Sequence, residues 1–145
     1  MKAWVESEKI TDLHFERSSI SRSDMKLEET PMHLEASRQL EEYFSGRRKI
    51  FDLPLAPKGT DFQMKCWEAL LKVPYGETRS YGDIARSVGS PRGFRAVGMA
   101  NNRNPISIII PCHRIIGSDG KLVGFGGGLD IKEFLLGLES KYAKS

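Results

Sequence analysis

The chain is poor in cysteine, and the two it has, Cys66 and Cys112, are far apart in 145 residues. Without a C-x-x-C pair there is no zinc finger or ribbon, and two distant thiols give no disulfide framework. Long hydrophobic runs are also missing; the longest is a handful of residues, too short to span a bilayer. The amino terminus, Met1-Lys2-Ala3-Trp4-Val5-Glu6, carries charge within a few residues and has no apolar signal core. Gly124-Phe125-Gly126-Gly127-Gly128 is rich in glycine but follows neither the Walker nor the Rossmann spacing, so no nucleotide cradle is expected. These absences leave an intracellular, cytoplasmic protein with free thiols, no membrane attachment and no zinc signature. Composition agrees: 39% hydrophobic and 28% charged residues are those of an ordinary globular chain.

One more absence is local. Between Arg79 and Arg114 there is no lysine and no glutamate; six arginines stand against Asp83 alone. The rest of the chain is slightly acidic. A basic segment of this kind points to a polyanion partner, the plainer alternative being a solvated charged face.

The hydrophobic pattern divides the chain into two small domains, 1–58 and 59–145. Residues 2–16 alternate around Ser7-Glu8-Lys9 and read as a β-hairpin. Residues 17–30 read as a polar loop. Thr30-Pro31 opens a helix with Met32, Ala36, Leu40, Tyr43 and Phe44 on one face, taken as core packing, and Gly46 closes it. Ile50–Leu55 alternates as a short strand, and Ala56-Pro57-Lys58-Gly59 reads as a linker.

In the second domain Thr60-Asp61-Phe62-Gln63 is a capping box opening a helix with Phe62, Cys66, Leu70 and Val73 inward; Cys66 belongs to packing. Ser80-Tyr81-Gly82-Asp83 caps another helix, ended by Gly89. Ser90-Pro91 is expected to start a third, running through Arg95 and Val97 to about Asn102. Two short helices around a glycine turn, the second bearing arginine, form the helix-turn-helix pattern. The glycine run reads as a hairpin or wing. Asp130 caps a last helix with Ile131, Phe134, Leu135 and Leu138 inward; from spacing alone Glu139 reads as an exposed glutamate.

Between those helices lies Ile108-Ile109-Ile110-Pro111-Cys112-His113-Arg114. Three isoleucines read as a buried strand that stops at Pro111, which has no N–H for a ladder. Cys112 follows at a rigid exit, next to a residue that can act as a base near neutral pH. That arrangement suits a nucleophilic thiolate. The alternative is a cysteine acting as a small buried hydrophobe.

Five ordered motifs across residues 61–140 decide between these: Ser80-Tyr81-Gly82-Asp83-Ile84-Ala85, Arg95-Ala96-Val97-Gly98, Asn104-Pro105, Ile110-Pro111-Cys112-His113-Arg114, and Gly127-Gly128-Leu129 with Lys132 and Glu139. In these the sequence resembles the O6-alkylguanine-DNA alkyltransferases. The resemblance implies an α/β (α+β) fold with a trimmed ribonuclease-H-like amino-terminal domain, serving as support, and a winged helix-turn-helix carboxyl-terminal domain. It implies DNA repair by direct damage reversal: a monomer binds duplex DNA, flips out O6-alkylguanine or O4-alkylthymine, and moves the alkyl group irreversibly onto Cys112. In a prokaryote such a protein would lie with the nucleoid.

The same resemblance gives each residue a role. Cys112 is the acceptor, His113 its base through a water, and Glu139 the carboxylate orienting the imidazole. Asn104 ties the recognition helix to the cysteine turn. Tyr81 crowds the 3′ phosphate and donates to guanine N3. Arg95 fills the vacated stack, with Ser90, Arg92, Ala96 and Arg103 also against DNA. Pro111, Val123, Gly124, Phe125 and Gly126 form the alkyl and guanine pocket. Two positions depart from the family's pattern: Phe94 stands where alanine is common, and Phe125 where tyrosine is common. The ligands of the zinc site found in some relatives are lacking, and the transfer that the resemblance implies needs no cofactor and no metal. Rival readings are a lesion-sensing protein without transfer, which would not need Cys112, a winged-helix regulator, and a thiol hydrolase, which would not need a basic helix-turn-helix.

Overall fold

The computed structural model describes residues 2–6, 8–14, 31–122 and 128–143. Phe15, the expected 17–30 loop, and Val123 to Gly127 of the expected wing lie outside the described residues. The amino-terminal hairpin is present as β1 (Lys2–Glu6) and β2 (Lys9–His14), antiparallel, with an irregularity between Trp4 and Val5. It is followed by α1 (Pro31–Phe44) and α2 (Asp61–Leu71), then β3 (Arg79–Ser80), α3 (Tyr81–Ser87) and α4 (Phe94–Asn102). A single 3-10 turn, Cys112–Arg114, leads into β4 (Ile115–Ile116), and α5 (Leu129–Ala143) closes the described chain.

The expected capping box at Thr60 forms, and the cap at Ser80 is a second one. The Thr60 hydroxyl accepts from the Gln63 N–H while the Gln63 side chain accepts from the Thr60 N–H, and Ser80 and Asp83 repeat the exchange. Each pair satisfies two of the donors that a helix start leaves open.

Four expectations are corrected, most of them because a side chain or cap has taken over backbone hydrogen bonding. Ile50–Leu55 is not a strand. Gln39 on α1 donates to the Asp52 carbonyl at 2.9 Å and accepts from the Asp52 N–H at 2.8 Å, and Pro54 has no N–H to extend a ladder. Within this stretch only Leu55 makes a bridge, to Ile10. The isoleucine run is not a strand either. Ile108 has φ +71, a left-handed conformation costing a β-branched residue about 1–2 kcal/mol, and the chain folds back on itself there. Asn104 spans that turn, donating to the Ile110 carbonyl at 2.8 Å and accepting from the Ile106 N–H at 3.0 Å. The isoleucines are buried as expected; it is their backbone that turns instead of extending.

The third helix of the second domain starts at Phe94, not Ser90. The Ser90 N–H closes α3, donating to the Ala85 carbonyl at 2.9 Å past Gly89 at φ +77, and Ser90 to Gly93 is a turn. That is a glycine-ended helix stop using the residue expected to be a start. On α5 the buried positions are Lys132, Leu135 and Glu139, while Phe134 is 59% exposed.

Two connections position the cysteine turn. The pairing of β3 with β4 is parallel, Arg79 with Ile115 and Ser80 with Ile116, and it sets the start of α3 beside the turn's exit. Strand β2 is bonded to two distant segments: Ile10 between Pro54 and Ala56, and Leu13 between Pro105 and Ser107, just ahead of the turn. Elsewhere in the core Trp67 on α2, fully buried, donates its indole N–H to the Ala100 carbonyl at 2.9 Å and locks α2 to α4.

Candidate active site

Cys112, His113 and Arg114 are consecutive and all buried. A tight 3-10 turn puts their side chains in different directions within a few ångströms of chain. Pro111 (φ −82) enters it, and Asn101 at the end of α4 donates to the Cys112 carbonyl at 3.3 Å. With Asn104 already bonded on both sides of the isoleucine turn, two asparagines fix the cysteine to the recognition helix. The resemblance pointed to Asn104; Asn101 gave no signal beyond its helical position.

Glu139 comes from the far end of α5 and is buried beneath that turn. Its Oε1 accepts from Arg114 Nε at 2.7 Å and from the Gly76 N–H at 3.4 Å. Its Oε2 accepts from His113 Nε2 at 2.6 Å, from Arg114 Nη2 at 2.9 Å and from the Tyr43 hydroxyl at 2.6 Å. The exposed glutamate expected from spacing alone is therefore an interior one. These donors, His113 and Arg114 foremost, overcome the burial penalty and hold the carboxyl down at about 2. An acceptor-only carboxylate at 2.6 Å requires the proton on His113 Nε2, so the lone pair is on Nδ1. Nδ1 is buried and, among the described residues, has no hydrogen-bond partner. Burial also pulls the imidazole below its ordinary value, so it rests neutral. A neutral imidazole with an open Nδ1 is a base waiting for a proton.

Arg114 is the counter-charge of this cluster. It grips Glu139 with two nitrogens and donates from Nη1 to the Val73 carbonyl at 2.7 Å. At 7% exposure it belongs to the interior, so the expected basic surface loses one of its six arginines. Tyr43, taken from sequence as packing, comes from α1 of the other domain. Its signal was only its place on a buried helical face.

The Cys112 thiol is pushed up to about 11 by burial, with the Asn104 amide, Lys132 and the turn's own N–H groups pulling the other way. It therefore rests as the thiol and must lose its proton to react. Lys132 is fully buried, and burial pulls its ammonium below the ordinary lysine value while the Cys112 sulfur opposes that shift. Its ammonium lies 6.0 Å from the centre of the Tyr81 ring. Tyr81, at the start of α3, is raised by burial and then by Cys112, so it keeps its proton as a donor. Cys112, His113, Glu139, Asn104 and Tyr81 are thus one cluster around the turn.

The remaining expected residues lie elsewhere. Arg92, Arg95, Ala96 and Arg103 are exposed on α4 and its flanks; Ser90 is half-buried in the turn before it. Phe94 is 51% exposed beside Arg95 and does not pack into the core. Pro111 is buried and faces a cleft shared with Phe51, Leu55 and Tyr75. Val123, Gly124, Phe125 and Gly126 lie outside the described residues. Among the described residues no group of three or more histidine, cysteine or acidic side chains is placed to hold a metal, and no helix is long and apolar enough to cross a membrane.

Comparison with known proteins gives the same picture. Residues 61–141 match the DNA binding domain of 6-O-methylguanine DNA methyltransferase, and residues 5–57 match its ribonuclease-like domain. The chain is 70% identical over 105 residues to a methylated-DNA–protein-cysteine methyltransferase of Methanosarcina barkeri, covering 72% of this chain and 66% of that one. It is 58% identical over 123 residues to a protein of the same name from Methanosarcina acetivorans, covering 85% and 79%. The structure of Mycobacterium tuberculosis OGT in complex with DNA superposes with a TM-score of 0.88 at 46% identity, covering 97% of this chain and 86% of that one. The mixed α/β architecture, the amino-terminal ribonuclease-like match and the DNA-binding match that contains the buried cysteine cluster agree, and the chain belongs to the methylated-DNA–protein-cysteine methyltransferase family.

Proposed function

We propose that Cys112 is the acceptor in the reaction of this family: the protein repairs DNA by moving an alkyl group from O6-alkylguanine onto its own cysteine. The observation that carries the reading is the His113 ring, held neutral with Nε2–H on Glu139 and with Nδ1 unpartnered one residue from a buried thiol. His113 Nδ1 takes the Cys112 proton through a water. The thiolate attacks the alkyl carbon, the S–C bond forms as the C–O6 bond breaks, and guanine leaves with its developing charge met by a hydrogen bond from the Tyr81 hydroxyl at N3; the proton that guanine regains from water balances the one His113 took and later returns to water. Glu139 supports the imidazolium without accepting its proton, the usual role of a carboxylate behind a base. Lys132 and the turn's N–H groups stabilise the sulfur's negative charge. The product is a thioether, stable to water, so each molecule acts once.

A base in a duplex is out of reach until it is flipped, at about a few kcal/mol. Arg95 supplies the group that fills the gap, its planar cation suited to stack and donate together. Arg92 and Arg103 neutralise phosphates, and Ser90 and Ala96 line the same face. Of the residues that the resemblance gives to the pocket for the base and its alkyl group, Pro111 is the described one, buried at the entry of the cysteine turn. The carboxyl-terminal domain, from about residue 59, carries the chemistry. The protein acts as a monomer in the cytoplasm.

Intact-mass spectrometry with a duplex carrying one O6-methylguanine tests this. One methyl per molecule on the wild type, and none on Cys112→Ser, is the expected outcome. Binding without a mass gain would leave a lesion sensor, and loss of more than one equivalent of substrate methyl would mean turnover.

A further inference from the structure

Among the described residues, the amino-terminal domain bonds directly to the Glu139 carboxylate through the Tyr43 hydroxyl. The Tyr43 hydroxyl, fully buried, lies 2.6 Å from Glu139 Oε2, the oxygen that also accepts from His113 Nε2. The tyrosine ring is fixed independently, with ring centres 5.4 Å from Phe51, 5.4 Å from Phe44 and 6.2 Å from Tyr75. A rigidly held donor on that oxygen does two things. It stops the carboxylate from rotating away from the imidazole, and it takes up negative charge that would otherwise make Glu139 a competitor for the imidazole proton.

We propose that Tyr43 is a positioning residue for alkyl transfer: its hydroxyl holds Glu139 Oε2 so that the carboxylate orients His113 with Nδ1 open and leaves the transferred proton on the imidazole. This rests on the reading of Cys112 and His113 given above. It makes the amino-terminal domain part of the catalytic apparatus, beyond the supporting role that the sequence suggested. The Tyr43 hydroxyl stays protonated throughout, because burial and the Glu139 charge both raise it.

Among the described residues, the groups that bear on this oxygen come from three elements besides α5. Tyr43 comes from α1, Tyr75 and the Gly76 N–H from the loop after α2, and His113 and Arg114 from the cysteine turn. Lys132 from α5 bears on His113, and Lys49 lies over the Tyr75 ring at 5.7 Å. Of these, His113 is the group whose proton is gained on the acid side of neutrality, where the base is lost.

Replacing Tyr43 by Phe keeps the ring and removes the donor. Glu139 then carries more charge toward the imidazole, His113 binds its proton more tightly, and activity should begin to fail at a higher pH. The measurement is the single-turnover transfer rate against pH, with methylated duplex in excess and the Cys112 mass gain as readout. For Tyr43→Phe the midpoint of the acid limb should move up by about half a unit or more, and the plateau rate should fall about tenfold. A limb at the wild-type midpoint, whatever the plateau or melting temperature, overturns the proposal and leaves Tyr43 a packing residue. Phe51→Leu, which loosens the ring without touching the hydroxyl, should lower stability and leave the limb in place. Site-specific replacement of Tyr43 by a fluorinated tyrosine keeps the fold and strengthens the donor, so the limb should move down; no movement overturns the proposal even if Tyr43→Phe fails to fold. Wild type that gains no methyl at Cys112 would sink the parent reading as well, whereas methylated wild type with an unmoved limb in the variants sinks Tyr43 alone.

Discussion

Replacing Glu139 by Gln removes one charge from a buried pair and leaves the other behind. Arg114 would keep only the Val73 carbonyl of its present acceptors at full strength, and the new side-chain amide would turn an NH2 toward one set of the donors that now meet an oxygen. Breaking a buried pair from one side costs about 3–5 kcal/mol. The native pKa points the same way. Glu139 sits at about 2 against an ordinary 4.5, a difference that converts at about 1.4 kcal/mol per unit into roughly 3 kcal/mol at neutral pH. Since the folded value is the depressed one, this stability is fully present above pH 4.5 and is lost as pH falls toward 2. Glu139→Gln should therefore melt roughly 10 °C lower at pH 7, using about 2–4 °C per kcal/mol for a chain of this size. Its stability should also fall less steeply than wild type's between pH 4.5 and 2. Thermal melts at pH 7 and urea unfolding at a series of pH values, both followed by tryptophan fluorescence, give these quantities. A loss under about 1 kcal/mol at pH 7, with unchanged acid dependence, would refute the idea that this carboxylate is ionised and held by Arg114.

Asn104→Ala strands the Ile106 N–H and the Ile110 carbonyl in the interior, and should cost about 2–4 kcal/mol in urea unfolding while slowing methyl transfer. Arg95→Ala is exposed and should change stability by under about 0.5 kcal/mol, yet slow transfer from duplex far more than transfer from free O6-alkylguanine. Lys132→Met removes a cation that favours the Cys112 thiolate, so the thiol, already near 11, should titrate higher when followed by its ultraviolet absorbance.

The parts of this structure that could be read in the sequence are those decided within a few residues. Thr60 with Gln63 and Ser80 with Asp83 mark helix starts because a capping box is a local exchange of two hydrogen bonds. Cys112, His113 and Glu139 were legible as a group only through a family resemblance, since 26 residues separate the imidazole from the carboxylate it meets. What could not be read turns on which of several possible partners a polar group takes, near in sequence for Asn104 and Ser90 and far for Gln39, Arg114 and Glu139. Asn104 and Gln39 replace a strand's hydrogen bonds with side-chain amides, so the apolar runs beside them turn instead of extending. Ser90 could cap either neighbouring helix, and the geometry past Gly89 gives it to the earlier one. Arg114 looked like one more DNA-facing cation because nothing local showed a glutamate 25 residues on. On α5 the two polar residues Lys132 and Glu139 face the cysteine cluster, which moves the buried stripe off the apolar positions and leaves Phe134 outside.

Strand β2 carries a consequence for cooperativity. Its Leu13 bonds sit on Pro105 and Ser107, immediately ahead of the isoleucine turn, and its Ile10 bonds sit on Pro54 and Ala56. Residues matching two different family descriptions are therefore stitched along one strand, and the seam runs through the segment that presents Cys112. Opening the hairpin frees the backbone that holds Ile106, and with it the turn that Asn104 spans. The two sequence domains should accordingly exchange their amide hydrogens and unfold as one unit, so that a break in the first ten or so residues of chain is felt at the reacting sulfur.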